Sequence, residues 1–182
     1  MDWKTSLDER PIVVAVAGSN GAGKTTFFQA HLAETGLRFV NADELALELG
    51  IGVYEAAEMA DALRRALVER GESFVFETVF SDPVGEKVEF LKQLVGKGYQ
   101  VALIFIRVDS VDASRQRVAM RVMKGGHDVP DEKLEARFER TLANLDRAIE
   151  ALPLVIVFDN SDLRSPYRLE AVYFEGEAQA IE

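Results

Sequence analysis

One stretch of eight residues constrains this chain more than any other. Gly18-Ser19-Asn20-Gly21-Ala22-Gly23-Lys24-Thr25 satisfies the pattern G-x-x-x-x-G-K-[ST] in full. Before it runs IVVAVA, Ile12–Ala17, a continuous apolar segment suited to a strand buried on both faces. After it comes a helical pattern. Strand, glycine turn and helix in that order form a phosphate cradle. The glycines allow a tight turn and close backbone approach to an anion. The free N–H groups and the positive end of the helix then face that anion. Lys24 is expected to reach the β- and γ-phosphates, and Thr25 to place its hydroxyl on Mg²⁺. Thr26 is expected to contact the α-phosphate or to cap the helix. The implied cofactors are ATP and Mg²⁺; the motif leaves the reaction open.

The rest of the chain repeats the same alternation. Further strand candidates lie at 38–41, 74–77, 101–108 and Leu154–Asp159. Helical spacing links Met59, Leu63 and Leu67 before Gly71, and Val84, Val88, Leu91 and Val95 before Gly96. A longer stripe runs through Leu134, Phe138, Leu142, Leu145 and Ile149, and Asp112 is a candidate N-cap for a helix ending near Met123. The fold class that follows is α/β: a P-loop NTPase fold with a parallel sheet of about five strands, flanked by helices and carrying a helical lid. One domain over residues 1–182 is expected, with the lid near 112–140. The tail around Glu175 and Gly176 is expected to form a hairpin or an edge strand.

Composition removes several classes of function. The 182 residues hold 31 acidic and 21 basic side chains, a net charge of −10. That balance argues against an extended nucleic-acid partner, which needs a basic face, and against an anionic membrane. With no cysteine, disulfides, thiol nucleophiles and cysteine-ligated zinc are excluded. Two histidines, His31 and His127, do not make a zinc site. The N-terminus lacks the apolar core of a secretory leader and no apolar run reaches membrane-spanning length, so a cytoplasmic protein is expected.

The size excludes a long ATPase machine, and neither an LSGGQ-like signature nor NKxD is present. Leu154–Asp159 has the pattern of a Walker B strand. As the last strand, however, it would carry Asp159, Asn160 and Ser161 toward the nucleobase or ribose, or into a simple turn. A small-molecule or nucleotide kinase remains. Asp43 follows the second strand and is the candidate general base, taking a proton from an acceptor hydroxyl; an N-cap role competes for the same oxygens. Glu77 and Thr78 end the third strand on the same side as the phosphate loop. Glu77 there requires a partner: Mg²⁺ water, an acceptor hydroxyl or a cation. Arg117, Arg121 and Lys124 share one helical face. Arg137, Arg140 and Asn144 share another, beyond a Gly125-Gly126 break followed by His127. Such cationic faces suit a lid closing on phosphates, with Arg121, Arg137 and Arg140 the foremost candidates to neutralise the transferring group. His31 is expected to be structural.

GSNGAGKTTF, FVNADE, FVFETVFS, RVAMRVMKGGHDVP, RFERTLANL and DNS, in this order, resemble the zeta-toxin-like P-loop kinases from about residue 12 to 161. The match is nearest to short bacterial members often described as predicted ABC-type ATPases, a label the missing signature does not support. The resemblance implies an ATP- and Mg²⁺-dependent kinase acting on a hydroxyl of a UDP-N-acetylglucosamine-type sugar. It implies Asp43 as base, Glu77 and Thr78 on the acceptor side, and Lys24 and Thr25 on phosphate and Mg²⁺. It also implies lid arginines on the transferring phosphate. For members encoded in toxin operons it implies an antitoxin protein as partner. The chain is shorter than the plasmid toxins, so a phosphotransfer core and lid are expected, with little room for added substrate-binding segments. The alternative is a nucleotide-binding switch or partner-binding ATPase with little acceptor phosphorylation.

Overall fold

The computed structural model describes residues 3–123 and 130–181. The apolar run before the glycine turn is a strand, β1 (Ile12–Ala17), and all six residues are buried. It pairs in parallel with β3 (Phe74–Thr78) on one side and β4 (Gln100–Arg107) on the other. Outside these lie β2 (Arg38–Val40), parallel to β3, and β5 (Leu154–Asp159), parallel to β4. The five expected parallel strands are therefore present. The sheet is wider than expected, however, because β6 (Arg168–Phe174) and β7 (Glu177–Ala178) extend it antiparallel beyond β5, giving the order β2-β3-β1-β4-β5-β6-β7. The tail is thus a hairpin, turning at Glu175 and Gly176 with φ of 48° and 80°. Leu154–Asp159 closes the parallel set but is not the last strand.

Both faces of the sheet are covered, which explains why the strands read as unbroken apolar runs rather than alternating ones. Val13, Ala15, Phe74, Phe76, Leu103 and Phe105 face one layer. That layer is built from α3 (Val53–Glu69), α4 (Glu86–Gly96) and α6 (Asp131–Ala151). Val14, Val16, Val75, Ile104, Ile106 and Ile156 face the other, where Phe27 and Leu32 pack from the helical segment after the phosphate loop. That segment is one α-helical turn, α1 (Lys24–Phe27), continued as a π-helical turn over Phe28–Leu32. α2 (Ala42–Leu49) follows β2, and α5 (Val111–Met123) follows β4.

Three expectations about helices need correction. In α3 the buried stripe is Ala56, Ala60, Arg64 and Leu67, whereas Met59 is 45% exposed. The true face is rotated from the apolar spacing, and a cation occupies one of its core positions. In α4, Val84 lies outside the helix and is exposed, and Gly98 rather than Gly96 takes the left-handed conformation that ends the helix. At the start of α5, Ser110 Oγ accepts from the Ala113 N–H, while Asp112 sits in the first turn and pairs with Arg115. Gly71, by contrast, does end α3, where its N–H bonds to the Val68 carbonyl and the Glu72 N–H to the Leu67 carbonyl.

Candidate functional site

The chain leaves β1 for β2 on one side and later returns to β4 on the other, so the strand order reverses around the carboxyl end of β1. Ligands of open α/β sheets bind at such a reversal. The loop from Gly18 to Gly23 emerges there, and Gly18, Gly21 and Gly23 have φ of 147°, 73° and 94°. Gly18 is the most constrained: a Cβ there would lie 2.3 Å from the Ile106 carbonyl oxygen of β4. At Gly23 a Cβ would lie 2.8 Å from both Asn160 Nδ2 and Tyr167 Oη, so these side chains would have to move.

Several groups brace the loop from outside. Ser114 on α5 donates to the Asn20 carbonyl at 2.6 Å, Asn160 Nδ2 to the Ala22 carbonyl at 2.8 Å, and Tyr167 Oη to the Gly23 carbonyl at 2.9 Å. Tyr167 itself holds φ at 55°, an unusual conformation for a residue with a side chain. Asn160, expected near the nucleobase or ribose or in a turn, also ties the β5–β6 connection to the phosphate loop through its amide. Asp159 makes the turn, accepting from the Ser161 N–H at 2.9 Å and the Ser161 hydroxyl at 2.5 Å, with Arg168 at 3.0 Å. The Ser161 hydroxyl above all, with the Ser161 N–H and Arg168, holds the Asp159 carboxyl at about 2. Ser19 Oγ, Asn20 Oδ1 and Asn160 Oδ1 are buried without a hydrogen-bond partner among the described residues.

Where the loop meets α1, Lys24 is 6% exposed and donates to the Ser19 carbonyl at 3.0 Å. Glu77 Oε1 lies 3.9 Å from its Nζ. Burial pushes the Lys24 ammonium below the ordinary lysine range; Glu77 and Asp43 pull it back up, and Arg121 presses it further down. The register of β3 against β1 sets this arrangement, with Glu77 opposite Val16 and Thr78 opposite Ala17, one residue before the loop. Glu77 Oε2 accepts from the Thr25 hydroxyl at 2.7 Å and from Asn41 Nδ2 at 3.1 Å. The partners expected for Glu77 thus prove to be Lys24, Thr25 and Asn41.

Asn41 also resolves the competition expected at Asp43. Asn41 is the N-cap of α2, and its Oδ1 accepts from the Asp43 N–H at 2.9 Å. The Asp43 carboxylate is therefore exposed in the first helical turn and is not the cap. Next to it, burial raises the Glu44 carboxyl above the ordinary range, and the nearby charges of Glu77 and Glu48 raise it further.

Two cavities flank the loop. One, of about 230 Å³, is lined by Asp43, Asp61, Arg64, Glu77, Thr78 and Lys87 among others. The other, of about 590 Å³, includes Thr26, Arg117, Met120, Arg121, Asn160 and Tyr167. Asp43, Glu77 and Thr78 therefore meet in the first cavity, while Thr26 and Arg121 meet in the second. Arg117 donates to the Asn160 and Ser161 carbonyls at 2.6 and 3.1 Å, clamping the β5–β6 connection. Arg140 Nε donates to the Ser81 carbonyl at 2.8 Å, Thr141 to that of Val79, and Asn144 to those of Phe80 and Asp82. α6 thereby fixes the connection after β3, where Phe80 has φ of 65°. Arg137 is half-buried on the same helix. Lys124, the Gly125-Gly126 break and His127 lie outside the described residues. His31 packs its ring against Phe27 and Tyr167 at centroid distances of 4.7 and 5.6 Å, a structural position.

Arg64, Asp61, Lys87 and Tyr167 escaped the sequence reading. For Arg64 a signal existed, since it stands four residues after Ala60 and three before Leu67, in phase with the helix stripe. No such signal marks Lys87 or Tyr167, whose partners are distant in the chain.

Hard oxygen donors suit Mg²⁺, which commonly takes one or two carboxylates besides phosphates. The Thr25 hydroxyl beside the Glu77 carboxylate fits that chemistry. Among the described residues no group of three or more His, Cys, Asp or Glu could hold a metal by itself. No helix among them is long and apolar enough to cross a membrane.

The zeta toxin family model matches residues 53–170. The match begins after the phosphate loop and Asp43, so it rests on α3 through β6 rather than on the glycine motif. No curated protein matches the sequence. Among solved structures, the AvrRxo1-ORF1:-ORF2 complex with ATP aligns with a TM-score of 0.70 at 21% identity, over 96% of this chain and 62% of that one. The PezAT chromosomal toxin-antitoxin system of Streptococcus pneumoniae aligns at 0.61 and 21%, over 82% and 69%. Deoxyadenosine kinase from M. mycoides with bound dATP aligns at 0.54 and 17%, over 84% and 94%. At these identities the likeness is one of fold, that of the P-loop kinases. The chain spans about three fifths of the length of the first of these relatives.

Proposed function

The chain belongs to the zeta toxin family, and on that premise we propose that it transfers the γ-phosphate of ATP to a hydroxyl of a small acceptor. One observation carries the reading. Asp43, Glu77 and Thr78 line one cavity, and Glu77 links it directly to Lys24 and Thr25 of the phosphate loop. A protein that only bound nucleotide would need no exposed carboxylate there.

In this mechanism ATP lies along the loop, its triphosphate over the glycine turn and its nucleoside in the cavity of Arg117, Asn160 and Tyr167. Asp43 takes the proton of the acceptor hydroxyl as its oxygen attacks the γ-phosphorus, and the bond to the β–γ bridging oxygen breaks. Lys24 holds the β- and γ-phosphates. Burial lowers the affinity of its amine for the proton in the free protein, and the negative phosphates it meets would raise it again. Arg121 neutralises charge spreading over the transferring group, with Arg137 and Arg140 from α6. Thr25 and Glu77 would hold Mg²⁺, which supplies charge neutralisation at the phosphate oxygens when bound. Thr78 would donate a hydrogen bond to the acceptor.

A UDP-N-acetylglucosamine-type sugar is the leading acceptor, on the family membership. An antitoxin protein is a proposed partner, because PezAT is a toxin-antitoxin system and shares the fold. The test is mass spectrometry of a UDP-sugar panel and a metabolite extract incubated with ATP and Mg²⁺, comparing the native protein with Lys24→Ala. A phosphorylated product that depends on Lys24 is expected. ATP binding with no phosphorylated product in either mixture would instead favour the nucleotide switch.

A further inference from the structure

One buried amide links Glu77 to Asp43. Asn41 is 5% exposed and stands between β2 and α2. The register sets Val40 beside Phe76, so Asn41 follows beside Glu77. Each end of its amide serves one neighbour. Nδ2 donates to Glu77 Oε2 at 3.1 Å, and Oδ1 accepts from the Asp43 N–H at 2.9 Å. The partners fix that orientation, because a carboxylate only accepts and a backbone N–H only donates.

Helix capping alone does not explain the choice of residue. Asp, Ser and Asn cap about equally well. The second bond is the selective one. Asp has no N–H to give and would set a further negative charge beside Glu77. Ser carries one oxygen on a shorter stem, whereas the two polar atoms of an amide point apart. Negative charge is already crowded here: burial, then the charges of Glu77 and Glu48, raises the Glu44 carboxyl above its ordinary range. Asparagine supplies the capping acceptor and an amide donor without adding charge.

The bond to Glu77 has consequences across the sheet. Glu77 Oε2 also accepts from the Thr25 hydroxyl at 2.7 Å, while Oε1 stands 3.9 Å from Lys24 Nζ. Asn41 and Thr25 thus hold one oxygen of the carboxylate, and the other turns to the loop lysine. Lys24 feels the charge of both Glu77 and Asp43. A continuous line of polar contacts therefore runs from the phosphate loop through Glu77 and Asn41 to the first turn of α2, which carries the Asp43 carboxylate. Hydrogen bonds to a charged group are among the strong ones, more so when removed from water.

We propose that Asn41 is a positioning residue: by holding Glu77 and the first turn of α2 at once, it sets Asp43 at a fixed distance from the phosphates on the loop. The proposal rests on the kinase reading and adds to it how the base is aligned with the nucleotide.

The test has a spectroscopic arm and a turnover arm. In the first, the backbone amide resonance of Asp43 is followed by NMR as a non-hydrolysable ATP analogue and Mg²⁺ are added. In the native protein it should shift with the same saturation as calorimetric binding. Asn41→Ser keeps a capping oxygen but withdraws the amide from Glu77. Its melting temperature should stay near the native one, and most of the Asp43 shift should vanish. A shift as large as the native one would overturn the proposal.

In the second arm, kcat and KM are measured with an acceptor found by product analysis. Asn41→Ser should lower kcat about 10–100-fold, the scale of one hydrogen bond to a charged group. KM for ATP and for the acceptor should change little. Asn41→Asp should fall further, since it repels Glu77 although it caps as well as asparagine. Asn41→Ala loses the cap too, so it should turn over like Asn41→Ser but melt at a lower temperature. A merely structural cap predicts another order, with Ser and Asp as active as the native residue and only Ala impaired. That order would overturn the proposal. A raised acceptor KM at native kcat would overturn it as well, by making Asn41 an acceptor contact. Either result leaves the kinase reading intact. If the native protein phosphorylates no acceptor, the kinase reading fails, and the Asp43 shift by itself upholds or overturns the link from loop to helix.

Discussion

Asp43 and Glu77 are two carboxylates at strand ends on one side of the sheet, and their neighbours give them different work. Glu77 accepts from Thr25 and Asn41 and faces Lys24. Asp43, relieved of capping by Asn41, keeps its oxygens exposed on the cavity it shares with Glu77 and Thr78. Asp43→Asn is therefore expected to lower turnover about 10²–10⁴-fold while leaving nucleotide affinity unchanged, read by steady-state kinetics beside calorimetric titration with ATP. Undiminished turnover would remove Asp43 from the mechanism. Asn160 is a second case where one side chain acts at a distance in sequence. Asn160→Ala strips the partner from the Ala22 carbonyl. The expected cost is about 1–3 kcal/mol of stability, together with weaker ATP binding, measured by denaturant titration and calorimetry on the same variant.

Among the elements, the phosphate loop depends most on close packing. Gly18→Ala would press a methyl group into the backbone carbonyl of Ile106, which belongs to a central strand and cannot yield. Gly50 also has a positive φ, 63°, but a Cβ there meets nothing within 4 Å. The two substitutions separate sterics from conformation. Gly50→Ala should cost about 1–2 kcal/mol, the left-handed penalty alone, whereas Gly18→Ala should cost more and abolish nucleotide binding. Equal melting temperatures for the two variants would contradict this account. α6 shows why element reading from sequence is incomplete. Its apolar stripe was legible, but Thr141 and Asn144 are buried within it because they grip the carbonyls of Val79, Phe80 and Asp82. Those carbonyls belong to a loop some sixty residues earlier, which a helical periodicity does not register. The same limit accounts for α3, where Arg64 takes a core position over the Phe76 ring and beside Asp61.

Across the whole molecule, the β5–β6 connection is the tie between the sheet's far edge and the phosphate loop. Asp159 anchors it through Ser161 and Arg168. Its carboxyl, at about 2 in the folded chain, stands below the value near 3.9 expected when unfolded. As pH falls, the unfolded chain takes up the proton first. The stabilisation is thus fully present above about pH 4 and is lost as pH falls through about 2. Asp159→Asn is expected to cost on the order of 2 kcal/mol at neutral pH, and the gap from the native chain should close toward pH 2. Denaturant unfolding at pH 7, 4 and 2.5 measures this; a gap that stays constant with pH would refute it.

Some of this protein was determined by sequence alone. A buried apolar strand, a complete glycine motif and alternating strand and helix patterns dictated the parallel core, the phosphate loop and the carboxylates at the ends of β2 and β3. These are local properties: periodicity, backbone freedom and the reach of a short turn. What only the tertiary structure decided is which groups meet across the sheet. The register of β3 on β1 brought Glu77 to Thr25 and Lys24. The packing of α3 over Phe76 buried Arg64 against Asp61, and the antiparallel return of β6 carried Tyr167 back to Gly23. Glu77 with Thr25, Arg64 with Phe76 and Tyr167 with Gly23 each join different elements. Each pairing is selected by burial and by the need to satisfy polar groups removed from water, which no local pattern encodes.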